Sequence, residues 1–192
     1  HQMLRVPHVS DLHVDGRYKV GAEAACTFGE TVACCRQNSY NSTMWDKQFV
    51  HGDLPKKNIS EESNYWGSLK CDAPWALMGN SMQTLKALGG KKGFDFAVFT
   101  GDLVAHDDLY RYSHDFAEYS EQALFDMLKH FLGDTPLLTT LGNHDTSPEN
   151  FMSHKNMPYG ISNAFNWDLN YVAELWSAEN WINSTQANQV RT

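Results

Sequence analysis

Two patterns of apolar and polar positions alternate along the chain. Three short apolar runs, Leu4 to Val9, Phe94 to Phe99 and Pro136 to Leu141, each stop at a polar cluster. Runs of that length bounded by Gly and Asp predict buried strands. Between them the apolar spacing stretches to three or four residues, which predicts helices. Pro74 suits a first helical turn, Leu77, Leu85 and Leu88 lie near one face, and Gly89-Gly90 ends that helix. Phe116, Tyr119, Ala123, Met127 and Phe131 form a second stripe, closed by Gly133, and Phe165, Leu169, Val172, Leu175 and Trp176 form a third. All three stripes are expected to pack into a core. The order strand, long insert, helix, strand, helix, strand, helix predicts an α/β fold built on a largely parallel sheet.

Residues 14–70 break both patterns. They are rich in Gly, Asn and Ser, show no periodicity and hold three of the four cysteines. A segment that long is functional or an insertion, and cysteines would staple it, so a stapled insert is expected at about 14–72. Cys26, Cys34, Cys35 and Cys71 allow three pairings, of which the one joining neighbours Cys34 and Cys35 is geometrically unfavourable. The two that remain both tie the 26–35 loop to Cys71. No CxxC pair suggests a structural zinc. Three sequons, at Asn41, Asn58 and Asn183, point with the cysteines to an oxidising, secretory compartment.

The 192 residues, 42% hydrophobic and 20% charged, suit one globular domain rather than a disordered chain. A net charge of −8 argues against a nucleic-acid groove. No apolar run approaches the roughly 18 residues of a membrane span, so a soluble chain is expected. It begins with His rather than Met, which reads as a processed product.

The chemistry sits where the runs end. Asp11-Leu12-His13, Gly101-Asp102 and Gly142-Asn143-His144-Asp145 follow the three strands, at the carboxyl ends where open α/β sheets place ligands. Two divalent cations about 3.5–4 Å apart need a bridging carboxylate and terminal N and O ligands. Asp102, on the middle motif, is the expected bridge. Asp11 and His13 can serve one ion, and Asn143 offers a carbonyl oxygen to the other. His144 is then free to donate a proton, with Asp145 as the partner that fixes its tautomer.

These motifs, DLH, GDLVAHD and GNHD, resemble the calcineurin-like metallophosphoesterases. The run Tyr65 to Pro74, the Cys34-Cys35-Arg36 run and Ala105-His106-Asp107 narrow the likeness to acid sphingomyelinase and its phosphodiesterase-like relatives. The resemblance implies a sandwich of mostly parallel β-sheet flanked by helices, and the disulfides Cys26–Cys34 and Cys35–Cys71. It implies two zinc ions bridged by Asp102, a zinc-activated hydroxide attacking phosphorus, His144 protonating the leaving alkoxide and His106 beside the phosphate. The implied substrate is sphingomyelin or another phosphocholine lipid, met at a membrane surface and cleaved to ceramide and phosphocholine. Nucleotides or other small phosphoesters are the alternative, and a non-catalytic fragment is the reading from another class. The implied setting is extracellular, or an acidic lysosome- or vacuole-like compartment. The family carries three further metal-binding histidines in later GH and GHxH motifs, whereas only His154 follows His144 here. The chain is therefore expected to be the N-terminal part, residues 1–192, of a catalytic domain whose remainder is a second chain or a missing segment. His8, His51, His114, His130 and His154 lie outside every motif.

Overall fold

The computed structural model describes residues 3–26, 34–37, 39, 41, 59–107, 113–152 and 158–191. Two compact units share the chain. The first comprises residues 1–12, 79–104 and 109–192, and the second residues 13–78 and 105–108.

The first unit holds a parallel sheet of three short strands, β1 (His8–Val9), β2 (Ala97–Phe99) and β3 (Leu137–Thr139), in the order β1-β2-β3. Each strand is shorter than its apolar run, yet each lies inside the run that predicts it. Ala97, Phe99 and Leu137 are buried, while Leu138 is 58% exposed. Two helices pack behind the buried positions. α2 (His114–Leu132) starts at Ser113, whose hydroxyl accepts the Phe116 N–H, and ends at Gly133, which takes the left-handed conformation a side chain would oppose. α4 (Trp167–Ala178) contributes Val172, Ala173, Leu175 and Trp176 to the core, three of which belong to the expected stripe. Phe125 is the hub, meeting Phe99, Trp176 and Trp181 edge to face at 6.0, 6.0 and 5.7 Å. Truncating such a residue to Ala costs about 3–5 kcal/mol. Two shorter helices, α3 (Tyr159–Phe165) and α5 (Ser184–Val190), flank α4 in sequence.

Two helix faces differ from expectation. In α2 the buried positions are Ala117, Ser120, Glu121, Leu124, Phe125, Leu128 and Leu132, one residue on from the expected stripe, and Tyr119 is 59% exposed. A carboxylate in the middle of the true stripe disguises it. In α1 (Trp75–Gly89) the deepest residues are Met78 and Met82, while Leu77 and Leu88 are exposed.

The second unit has no regular sheet among its described residues. Isolated bridges join Val14 to Ala73, Tyr18 to Arg36 and Glu23 to Glu62. The disulfides Cys26–Cys34 and Cys35–Cys71, the pairing that the resemblance implies, tie them together. Glu23 is buried and accepts the Ala25 and Ser60 N–H groups and the Ser60 hydroxyl at 2.7–2.8 Å, which satisfies its charge without a cation.

Candidate active site

In the first unit the chain turns sharply at the end of each strand. Asp11 follows β1 at φ 53°, Asp102 follows β2 at φ 58°, and Gly101 between them stands at φ 92°. Asp11 donates its N–H to Gly101 O at 3.0 Å, so the first two turns are hydrogen-bonded to each other. After β3, Gly142 lies so close to Asp102 that a Cβ there would collide with its carboxylate and its amide nitrogen. A Cβ at Gly101 would in turn strike the Gly142 backbone. Only two glycines facing each other allow these turns to meet.

Asp145 holds them. It is wholly buried; one carboxylate oxygen accepts the Asp102 and Gly142 N–H groups, each at 2.8 Å, and the other accepts Leu103 N–H at 2.7 Å. Burial pushes its pKa up, and the three amides oppose that shift. Asp145, expected as the partner that fixes the His144 tautomer, accepts backbone amides with both oxygens and so positions the loops that carry Asp102 and Asn143.

The geometry leaves oxygen donors pointing together. Carboxylate oxygens of Asp11 and Asp102 lie within 4.8 Å of each other. Asp102 Oδ1 accepts the His144 N–H at 2.9 Å, and Ser10 donates its hydroxyl to Asp11 Oδ2. Two carboxylates at that separation, each on a backbone that disfavours a side chain, are a donor set that suits a divalent cation. Asn143 opens the 3₁₀ turn Asn143–Asp145 and donates its amide Nδ2 to Glu149 Oε1 at 3.5 Å, which turns its carbonyl oxygen away from that carboxylate. His144 Nε2 also meets Glu149 Oε1, at 3.4 Å. Glu149 carries no signal in the sequence motifs.

The second unit presents a pair of stacked imidazoles. The His13 and His106 rings lie 4.0 Å apart with 26° between their planes, and their ring nitrogens come within 4.8 Å of one another. His13 is set by the parallel bridge beside it: its carbonyl accepts Ala73 N–H at 3.0 Å, and Asp15 N–H returns to Ala73 O at 2.9 Å. Asp72, next to Ala73, grips His106 twice. Its Oδ2 accepts the His106 backbone N–H at 2.7 Å, and its Oδ1 meets Nδ1 of the ring at 2.9 Å. Burial raises the Asp72 pKa, and the His106 hydrogen bonds pull it back. With Nδ1 on Asp72, Nε2 is the ring nitrogen that faces away from that carboxylate.

Behind this pair runs a buried ionic network. Arg36 Nε donates to Asp15 Oδ2 at 2.6 Å and its terminal nitrogens donate to Asp107 at 2.5 and 3.4 Å, while Arg17 also donates to Asp107. Burial disfavours the Arg36 charge, and the two carboxylates more than restore it. Asp72, Asp15, Asp107 and Arg36 stand inside or beside the family-like runs, but nothing in their spacing discloses which atom each one holds.

The remaining expected sites are scattered. Asn41 donates to Ser60 Oγ at 3.2 Å, and Asn183 caps α5 by accepting Gln186 N–H at 3.0 Å while Gln186 accepts its N–H in return. Asn58, His51 and His154 lie outside the described residues. His8 meets Thr100 Oγ1 at 2.9 Å, His114 stacks on Trp167 at 4.4 Å, and His130 packs against Phe131. Among the described residues no helix is long and apolar enough to cross a membrane.

Sequence comparison bears on this geometry directly. The profile of the calcineurin-like phosphoesterases matches residues 4–187. Sphingomyelin phosphodiesterase 2 of Caenorhabditis elegans is 28% identical over 184 residues, which cover 93% of this chain and 28% of that protein. Acid sphingomyelinase-like phosphodiesterase 3b of Mus musculus is 29% identical over 176 residues, 91% of this chain and 31% of that protein. Sphingomyelin phosphodiesterase of Bos taurus is 29% identical over 180 residues, 93% of this chain and 25% of that protein. The chain thus spans about a quarter to a third of the length of these relatives. The profile takes in all three strands and every strand-end turn that carries Asp11, Asp102 and Asn143, and the chain belongs to the calcineurin-like phosphoesterase family.

Proposed function

We propose that this chain forms part of a metal-dependent phosphodiesterase that cleaves a phosphocholine lipid such as sphingomyelin. The observation that carries the reading is the convergence of the Asp11 and Asp102 carboxylates at the ends of β1 and β2, with Asn143 on the turn after β3. The substrate class follows the relatives, three of which are named for sphingomyelin or for a sphingomyelinase-like activity.

The motif residues Asp11, His13, Asp102 and Asn143 would hold the divalent cations, with Asp102, which has two carboxylate oxygens, as the candidate shared ligand. The donor set, two carboxylates, an imidazole and an amide oxygen, suits zinc. Bound there, the ions lower the pKa of water and offset charge on the phosphoryl oxygens. The chain's own residues do the rest. Asp145 fixes the Asp102 and Gly142 amides, so the ligand loops are set before substrate arrives. His144 donates a proton to the departing alkoxide, with its ring steered by Glu149. His106, held through Nδ1 by Asp72, presents Nε2 to a phosphate oxygen. The further histidine ligands that the family resemblance implies come from outside these 192 residues. The setting is secretory, extracellular or an acidic compartment, with the sequons at Asn41, Asn58 and Asn183 as candidate glycosylation sites.

The test is to assay the protein containing this chain, with and without added zinc, on sphingomyelin vesicles and on a nucleotide diester. Zinc-dependent release of phosphocholine supports the reading. Hydrolysis of the nucleotide alone overturns the lipid assignment, and the same rate after chelation overturns the metal.

A further inference from the structure

The second unit displays an apolar loop that neither the metal ligands nor the proton donor uses. Tyr65 is 58% exposed, Trp66 55%, and Leu69 stands wholly in solvent. Leu77, also exposed, continues the patch, because a Cβ on Gly67 would touch it at 3.9 Å and Pro74 at 3.3 Å. Exposed Trp, Tyr and Leu within five residues need a reason, since each loses free energy in water that burial would recover.

The loop is rigid. Gly67 N–H donates to Asn64 O at 3.2 Å and Cys71 N–H to Ser68 O at 2.9 Å, closing two successive turns. The Tyr18 hydroxyl donates to Asn64 O at 2.7 Å, and the Asn64 N–H reaches Ser68 Oγ at 3.2 Å. Gly67 takes φ 106°, open only to glycine, and Cys71 is anchored to Cys35. Tyr65 and Trp66 meet edge to face at 4.8 Å, which orients both rings. The side chains are therefore held out by a fixed backbone, and covering them costs little ordering entropy.

We propose that Tyr65, Trp66 and Leu69 form an anchor that seats this part of the chain in the headgroup region of a phospholipid bilayer. Tyr and Trp join an apolar ring to one polar hydrogen and favour the interface between hydrocarbon and water, while Leu69 reaches deeper. Charge fits the same occupant. Lys70 follows Leu69 directly, and Lys19 adjoins the loop through its carbonyl, which accepts the Ser63 hydroxyl; both lysines are exposed. They meet lipid phosphates on a chain whose net charge is −8. Glu61 and Glu62, exposed on the approach to the loop, sit on its far side in sequence from Lys70. The anchor also connects to the chemistry: Asp72, three residues past Leu69, is the group that grips His106. The proposal rests on the lipid reading of the site, since such a substrate resides in a bilayer surface.

The chain is mixed with vesicles of phosphatidylcholine and phosphatidylserine, and the bound fraction is read by flotation. Trp66→Ser/Leu69→Ser should weaken partitioning at least tenfold, and Lys70→Glu should weaken it further at low salt. Leu69→Ser alone, whose side chain touches only water, should weaken it several-fold with unchanged far-UV circular dichroism, so a folding defect in the double variant leaves the test intact. Equal partitioning of wild type and variants, or no partitioning of the wild type, overturns the anchor. In the protein that contains this chain, hydrolysis of soluble bis(4-nitrophenyl) phosphate should be unchanged by Leu69→Ser while vesicle hydrolysis falls. Loop-dependent partitioning without any hydrolysis would sink the phosphodiesterase reading and leave the anchor standing.

Discussion

Asp145 and Asp102 lie 43 residues apart in sequence and are joined by a 2.8 Å hydrogen bond from the Asp102 N–H to Asp145 Oδ2. The same oxygen takes the Gly142 N–H, so one buried carboxylate spans the turns after β2 and β3. Asp145→Asn keeps the shape but replaces a charged acceptor with a neutral one and places two N–H donors among amides. The expected loss is about 2–3 kcal/mol of stability and roughly 10- to 100-fold in zinc affinity. Urea unfolding and zinc titration measure the two effects, and a variant with wild-type values in both would remove the clamp from the mechanism.

Asp102→Asn tests the bridge itself. The neutral amide offers one oxygen where the carboxylate offers two, so tight metal binding should be lost while the fold survives. Metal content after dialysis, compared with unfolding midpoints, separates these outcomes. Retention of both ions would show that another residue bridges them.

His144→Ala should leave metal content unchanged and slow hydrolysis about 10²- to 10⁴-fold, the usual worth of general acid catalysis. Because nitrophenolate departs without a proton, the loss on a nitrophenyl ester should be much smaller. An equal loss on both esters would reassign His144 to phosphate binding.

Stability should fall as pH rises. Burial pushes the Asp168 pKa up from 3.8 to about 6, with His114 opposing. Burial also raises Glu121, and the neighbouring Asp145, Asp168 and Glu118 charges raise it further. Both Glu121 oxygens and Asp168 Oδ2 are buried without a hydrogen-bond partner among the described residues. Between pH 4 and 6 the folded chain keeps a proton on Asp168 that the unfolded chain has lost, so stability declines through that window and stays low above it. Two pKa units correspond to about 3 kcal/mol. Asp168→Asn should flatten the decline there, and Glu121→Gln should remove the part of the decline that its own raised pKa adds. Thermal unfolding between pH 4.5 and 8 measures it, and a wild type that gains stability over this range would contradict the assignment.

Much of this arrangement is legible in the chain. Apolar runs ending in Asp or Gly-Asn mark strands and the polar turns after them, because buried parallel strands and polar carboxyl-terminal loops leave different composition. The helix faces are less legible. Glu121 occupies a core position of α2, and periodicity counts it as surface, so the stripe slides by one residue. Met78 and Met82 carry the core of α1 where leucines look better suited. Hardest to read are residues that act through another residue. The grip of Asp72 on His106 and of Asp145 on the Asp102 and Leu103 amides depends on contacts across 34 and about 43 positions, which no local pattern encodes.

Aspartates in the left-handed conformation at the ends of β1 and β2 set selection for folding against selection for chemistry. At Asp11 and Asp102 glycine would relax the backbone and favour the folded chain. A screen that rewards thermal stability alone should therefore drift toward glycine at these two places and silence the protein as it hardens it. Any lineage that keeps aspartate there carries a standing conformational cost, which use of the carboxylates would repay.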